Sequence, residues 1–300
     1  MKRLLFLDII KAFGILVVIF VHMQNFLSAV VIPNFYLIEG LKFLGLACFM
    51  FASGYAIHEN NRTLKDRGEI LHFYKKRILR IYPLYIVALF VFFICFQVFG
   101  LFPPIHYSIA GWIANILCLQ VLLSPAFLEP IFTLWFIGFI IIMYAIYPLF
   151  SDNRGTIKKR ILIAAGIFIG LLIIHEALNI IDYRFFMYYF VFILGVVASA
   201  GSHRFLFIER PFSDHKRIAV PVITALAYAS YCIYLFHMPV FAVTNVLIIG
   251  ARLSGALQNA ALIFLVIPAL FCMCYYIQRS YDRLIKRLAE FRYSRQRTCQ

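Results

Sequence analysis

The sequence predicts an all-α fold: a polytopic transmembrane helical bundle of about eight to ten spans, forming a single domain over residues 1–300. Three observations predict it. Hydrophobic residues make up 64% of the chain and charged residues only 14%. Mean hydropathy is +0.90. The apolar residues also gather in runs of about 20, the length that crosses about 30 Å of hydrocarbon. A water-soluble domain needs roughly a quarter of its residues charged to stay dispersed, so the bilayer is the solvent that fits.

The apolar runs fall at residues 4–23, 37–57, 81–100, 133–150, 161–181, 185–201, 226–249 and 257–277. Lys2 and Arg3 precede the first as they would a secretory leader. Asp8 and Lys11 interrupt its core, however, and no small-residue cleavage site follows, so it is expected to be a retained span. The piece at 110–123 is shorter and reads as a half-span or interfacial segment. No internal repeat and no Gly/Ser- or Pro-rich linker divides the chain.

Basic residues outnumber acidic ones by 28 to 13, a formal charge of +15. They cluster between the runs: Lys2 and Arg3, Arg62 to Arg80, Arg154 to Arg160, Arg204 to Arg217, and Arg279 to Arg297. All five clusters can share the cytoplasmic face only if an even number of crossings separates successive clusters. Eight spans with 110–123 not crossing meet that condition and put both termini in the cytoplasm; a crossing at 110–123 turns the cluster at 151–160 outward or requires a further crossing elsewhere. Charge confined to such loops argues against nucleic acid and for anionic membrane lipids as the partner. Residues 60–80 are expected to form a short amphipathic helix on the inner leaflet. The tail at 279–297, with Tyr281, Leu284, Leu288 and Phe291 along one face, reads the same way; plain positive-inside anchoring is the other reading of both. The seven cysteines lie mostly within apolar runs with no CxxC pair, so neither a disulfide nor a metal site is expected.

A charge inside hydrocarbon costs about 2.5 to 3.5 kcal/mol at mid-helix, which makes each one a candidate site. From Lys11 to His22 a helix turns about 1,100°, three turns plus about 20°, so the two share one stripe about 16 Å apart. Asp8 lies one turn below Lys11, where it can pair with it. An ionic pair near one end and an imidazole near the other would line a path from both sides of the membrane. Snorkelling of Lys11 and a simple interfacial position for His22 are the competing readings.

In KKRILRIYPLY, Arg77 and Arg80 stand one turn apart with Lys76 beside them. Guanidinium forks grip phosphate, the handle of coenzyme A and of nucleotides. Positive-inside anchoring, with Tyr82 and Tyr85 as an aromatic belt, also accounts for the charge. His237, near mid-span after Ser230, Tyr231 and Tyr234, must face the bundle or a wet cavity, whether as a site residue or as a structural hydrogen bond. Glu39 and Lys42 pair at the start of the second run, at a depth where Glu39 can meet His22. Trp135 in TLWFIGF reads as an interfacial anchor in preference to a cavity wall.

In order along nearly the whole chain, LDIIKAFGILVVIFVH, FMFASGYAI, RILRIYPLY, TLWFIGFIIIMYAIYPLF and SYCIYLFHMPVF resemble the motifs of the acyltransferase-3 family of integral membrane acyltransferases. Each motif is weak alone; five in order are specific. The resemblance implies an enzyme that moves an acyl group, acetyl in the simplest case, from cytoplasmic acyl-CoA to a hydroxyl of a cell-surface glycan or lipid-linked saccharide. It implies His22 as the base, with Lys11 and Asp8 in support and Arg77, Arg80 and Lys76 on the donor phosphates. His237, Tyr234, Glu39 and Trp135 are further site candidates, and no metal is involved. The chain departs from the family where paired glutamates are common, carrying Gly138 to Met143 without an acid, and at the last helix, where Gln278 stands and Asp282 comes only beyond it. It also shows fewer than the family's usual ten spans. The competing function is a transporter or flippase moving a polar solute along the charged path, for which internal symmetry is the expected sign.

Overall fold

A computed structural model describes residues 4–29, 31–101, 107–151, 157–201, 219–251 and 253–298, with the side chains of 157, 219, 289 and 291–298 excepted. These residues form helices and connecting turns, with no strand among them. The helices are α1 (Leu5–Met23), α2 (Phe35–Asn60), α3 (Arg67–Phe93), α4 (Ile109–Ile116), α5 (Gln120–Leu123), α6 (Trp135–Ile146), α7 (Ile157–Leu178), α8 (Arg184–Ala200), α9 (Ala219–Gly250), α10 (Gly255–Ala261) and α11 (Ile267–Thr298). Single π-turns at Ile94–Val98 and Leu262–Val266 extend α3 and join α10 to α11.

Each of the eight expected runs falls on a helix. Among the described residues seven helices are long and apolar enough to cross a bilayer, and α8, at 17 residues, is shorter. The chain is thus an integral membrane protein by length and composition. Side-chain caps set several starts: Asn34 accepts from the Leu37 amide, Asp66 from Glu69 and Ser108 from Gly111.

Contacts between helix ends fix the up-and-down order. At one end, which also holds Asp8 and Lys11, Arg160 Nη1 donates to His58 Nε2 (2.8 Å). An arginine only donates, so His58 Nδ1 carries the hydrogen and donates to the Tyr147 hydroxyl at 3.1 Å, which in turn donates to the Asn61 carbonyl at 2.7 Å. The end of α2, the turn after α6 and the start of α7 therefore meet, and Ser199 Oγ donates to Glu59 at 3.1 Å to bring the end of α8 there too. At the opposite end Asn259 of α10 bonds Ser28 beyond α1. The described basic residues flanking α3, α7 and α11 therefore share one end, as even crossings between their clusters require. Lys2, Arg3, Arg154 and the cluster from Arg204 to Arg217 lie outside the described residues.

The segment at 110–123 is a re-entrant half-span. Trp112 packs on Phe93 (5.2 Å between ring centroids), while further down Tyr82 and Tyr85 donate to the carbonyls of Ile116 and Asn115. The chain then reverses at Cys118, whose φ of +58° is left-handed. Eight residues of α4 rise only about 12 Å, too little to cross, and backbone at that depth needs such protein partners. Gln120 of α5 bonds the Tyr85 hydroxyl and the Leu134 carbonyl. It sits where a Cβ on Gly138 would fall 2.9 Å from its amide. The glycine that stands near the family's missing acids thus makes room for an amide from another helix.

Two expectations are corrected. Residues 67–80 are not a separate surface helix but the first turns of α3, which runs 27 residues through Pro83. The tail likewise continues α11 to Thr298, and its expected membrane face is split: Tyr281 turns to the bundle while Leu284 and Leu288 are exposed. The side chain of Phe291 lies outside the described residues. A helical periodicity does not distinguish a new helix from the extension of an old one.

Proline has a visible consequence in α3. Pro83 has no N–H, so the carbonyl of Leu79 lacks its helical donor. The Tyr281 hydroxyl of α11 donates to that oxygen, and Tyr231 of α9 donates to the Ile81 carbonyl at 2.8 Å. α2 and α8 approach closely. A Cβ on Gly195 would meet the Phe51 carbonyl, and one on Gly54 the Phe192 carbonyl, so backbone lies on backbone.

Candidate functional site

A cavity of about 670 Å³ opens among α1, α2, α3, α6, α9 and α11. At its mouth stand Lys76, Arg77 and Arg80 of α3, and across from them Asp8 and Lys11 of α1. Helical spacing explains the first set: residues 76, 77 and 80 lie within about one turn, on the face that α3 turns inward. The Arg77 guanidinium lies over the rings of Phe73 (5.5 Å) and Tyr144 (5.4 Å), and its Nε is buried with no hydrogen-bond partner among the described residues. Cation–π contacts hold a guanidinium in place while leaving its donors free for an anion.

Further in, the walls are apolar: Phe49 of α2 with Phe136, Ile137 and Ile140 of α6. The inner wall ends at Tyr234, whose hydroxyl donates to the Thr133 carbonyl. Tyr234 is also 5.9 Å from the ring of His237, and His237 is 5.1 Å from the ring of His22, tilted by 48°. His22 and His237 do not line the cavity; they form the layer behind its inner wall, toward the far end of α1.

The predicted residues therefore divide into three groups. Asp8, Lys11, Lys76, Arg77, Arg80 and Tyr234 surround one cavity. His22 and His237 form a pair beyond it, reached through Tyr234. Glu39 and Trp135 join neither of these; the expected Glu39–Lys42 pair forms, while the expected Glu39–His22 meeting and the interfacial Trp135 are corrected. Glu39 does not turn to His22: its carboxylate takes Lys42 Nζ at 2.6 Å on its own exposed helix face. Trp135 is not an interfacial anchor: it is 6% exposed, packs on Tyr188, and carries the guanidinium of Arg184 4.2 Å above its ring. Arg184 in turn forms a bidentate pair with Asp182.

Sequence reasoning named Gln278 and Asp282 only as a departure from the family and did not place them, or Tyr228, in the site. Asp282 accepts from Tyr228 at 2.5 Å and from Gln278 Nε2 at 3.1 Å, and all three line the mouth. The signal was an amide and an acid four residues apart, hence on one face of a helix, within a tail read as lying on the membrane surface.

One comparison with known proteins finds a match. A family model for an acyltransferase domain, acyltransferase 3, matches residues 4–208, more than two thirds of the chain. The matched stretch holds Asp8, Lys11, His22, Lys76, Arg77 and Arg80 and ends before α9, so Tyr234, His237 and Asp282 lie outside it. No curated protein and no solved structure matches the chain. The chain belongs to the acyltransferase-3 family of integral membrane proteins.

Proposed function

We propose that this protein is an enzyme that transfers an acyl group, acetyl in the simplest case, from cytoplasmic acyl-CoA to a hydroxyl of a cell-surface glycan or lipid-linked saccharide. One observation carries the reading: three basic side chains of α3 and the Asp8–Lys11 end of α1 share a cavity whose apolar inner wall ends two rings short of His22.

Each part suits a part of the donor. Lys76, Arg77 and Arg80 supply charge and guanidinium forks for phosphates at the mouth, and the apolar walls suit a thioester arm. Lys11, one helix stripe from His22, offers positive charge along that arm, with Asp8 holding its position. Transfer needs little more than an activated nucleophile. His22 accepts the proton of the acceptor hydroxyl, the oxygen attacks the acyl carbon, and the carbon–sulfur bond breaks. In this reading the basic end of the bundle faces the cytoplasm with both termini, and the histidine end faces the acceptor.

The test is thiol release from acetyl-CoA by purified protein. It is expected to be lost in His22→Ala and kept in Ile173→Ala, a lipid-side control on α7. A carrier without chemistry would leave the thioester intact in every variant and so refute the reading.

A further inference from the structure

His237 is completely buried, and its Nδ1 lies 2.8 Å from the carbonyl oxygen of Tyr234 and 3.3 Å from that of Ile233. Carbonyl oxygens only accept, so Nδ1 carries the ring's hydrogen and Nε2 keeps a bare lone pair. That Nε2 is buried with no hydrogen-bond partner among the described residues. A buried acceptor is seldom left unsatisfied, and one beside a candidate base calls for a reason.

The neighbouring ring supplies it. His22 is half-buried on the last turn of α1, and its ring centroid is 5.1 Å from that of His237. No direct bond joins the two rings among the described residues; at that separation the edge nitrogens are within reach of one bridging water. Phe241 closes over His237 at 6.1 Å and packs on Phe26 at 5.6 Å, so apolar rings shield the pair.

We propose that His237 is the positioning residue of the transfer reaction: its Nε2 lone pair holds the N–H of His22 through one bridging water and so leaves the opposite His22 nitrogen bare, as the base, toward the acceptor hydroxyl. The inference rests on the acyltransferase reading above. The hydroxyl proton passes to that bare nitrogen as the acceptor oxygen bonds to the acyl carbon. The carbon–sulfur bond breaks, and the departing thiolate takes the proton, leaving as a thiol. His22 ends neutral, and the His237 proton stays on Nδ1, hydrogen-bonded to the Tyr234 carbonyl, throughout. In many hydrolases a carboxylate holds the catalytic imidazole. An isolated carboxylate is costly to bury in an apolar interior, where a neutral imidazole brings no charge. The carboxylate at that depth, Glu39, is held in its expected pair with Lys42.

The test compares wild type, His22→Ala, His237→Leu and His237→Gln by kcat and KM for thiol release from acetyl-CoA, with acetyl-CoA binding measured by calorimetry. The leucine variant is expected to lose about 100-fold in kcat with donor KM within about threefold of wild type. The glutamine variant, whose side-chain oxygen can accept from the same bridging water, is expected to regain at least about tenfold of that loss. If His237→Leu does not fold, His237→Met provides the same apolar comparison. An active wild type beside an equally active leucine variant, or glutamine no better than leucine, overturns the positioning role alone. A wild type that neither binds nor cleaves acetyl-CoA overturns the acyltransferase reading and this inference with it.

Discussion

The hydroxyl of Tyr281 donates to the carbonyl of Leu79, the oxygen that Pro83 leaves without a helical donor. Both residues line the cavity mouth, so the bond ties α11 to α3 beside Arg80. Tyr281→Phe is expected to lower unfolding stability by about 0.5–1.5 kcal/mol, the net worth of one hydrogen bond. In a Pro83→Ala background the restored N–H competes for the same carbonyl, so the tyrosine should then cost less to remove. A double-mutant cycle on unfolding in detergent checks this: additive losses would show that the phenol and the proline are unrelated.

Backbone contact predicts a sharper effect at Gly195. Its added Cβ would meet the Phe51 carbonyl and stand 2.9 Å from the Tyr55 amide nitrogen. A flexible side chain could move aside; two packed helix backbones move only by parting. Gly195→Ala is therefore expected to lower the unfolding midpoint more than Gly166→Ala, where nothing lies within 4 Å of the added carbon. Equal midpoints for the two variants would contradict the close α2–α8 packing.

At the mouth the chemistry of the basic residues matters more than their charge. Arg80→Ala is expected to raise the KM for acetyl-CoA by about 10- to 100-fold, the loss of a charged hydrogen bond of about 1.5–3 kcal/mol. Arg80→Lys should recover only part of it, because an ammonium does not reproduce the planar fork. Full recovery by lysine would mean that the residue only anchors the helix at the membrane surface.

The spans and the α3 basic triplet were legible because each depends on local information: run length for the first, spacing of 76, 77 and 80 for the second. Residues 110–123 were legible only as a question, since their half-crossing depends on the Tyr82 and Tyr85 hydroxyls taking the Ile116 and Asn115 carbonyls. Trp135 was misread because a tryptophan near a span end usually marks the interface, and nothing local reveals that Arg184 covers it. The place of Asp282 in the site depends on α11 continuing inward past the apolar run, which composition hides. His237 was legible as a buried histidine, but its partner lies on a helix more than 200 residues earlier.

Arg160 allows stability to be separated from donor binding. It donates to His58 Nε2 at 2.8 Å, at the junction of α2, α6 and α7, and neither residue lines the cavity. Arg160→Met keeps much of the side-chain length while removing every donor, so the buried His58 nitrogen loses its partner. An orphaned buried acceptor costs about 1–3 kcal/mol, and the variant is expected to unfold earlier by that amount. Its KM for acetyl-CoA should stay within about twofold of wild type, because the cation acts through the histidine and the Tyr147 hydroxyl and not on the donor. Unfolding in detergent and steady-state thiol release, measured on the same preparation, check both halves. If stability is unchanged while KM rises, Arg160 belongs with the phosphate-binding residues and the boundary of the donor site must be redrawn to include α7.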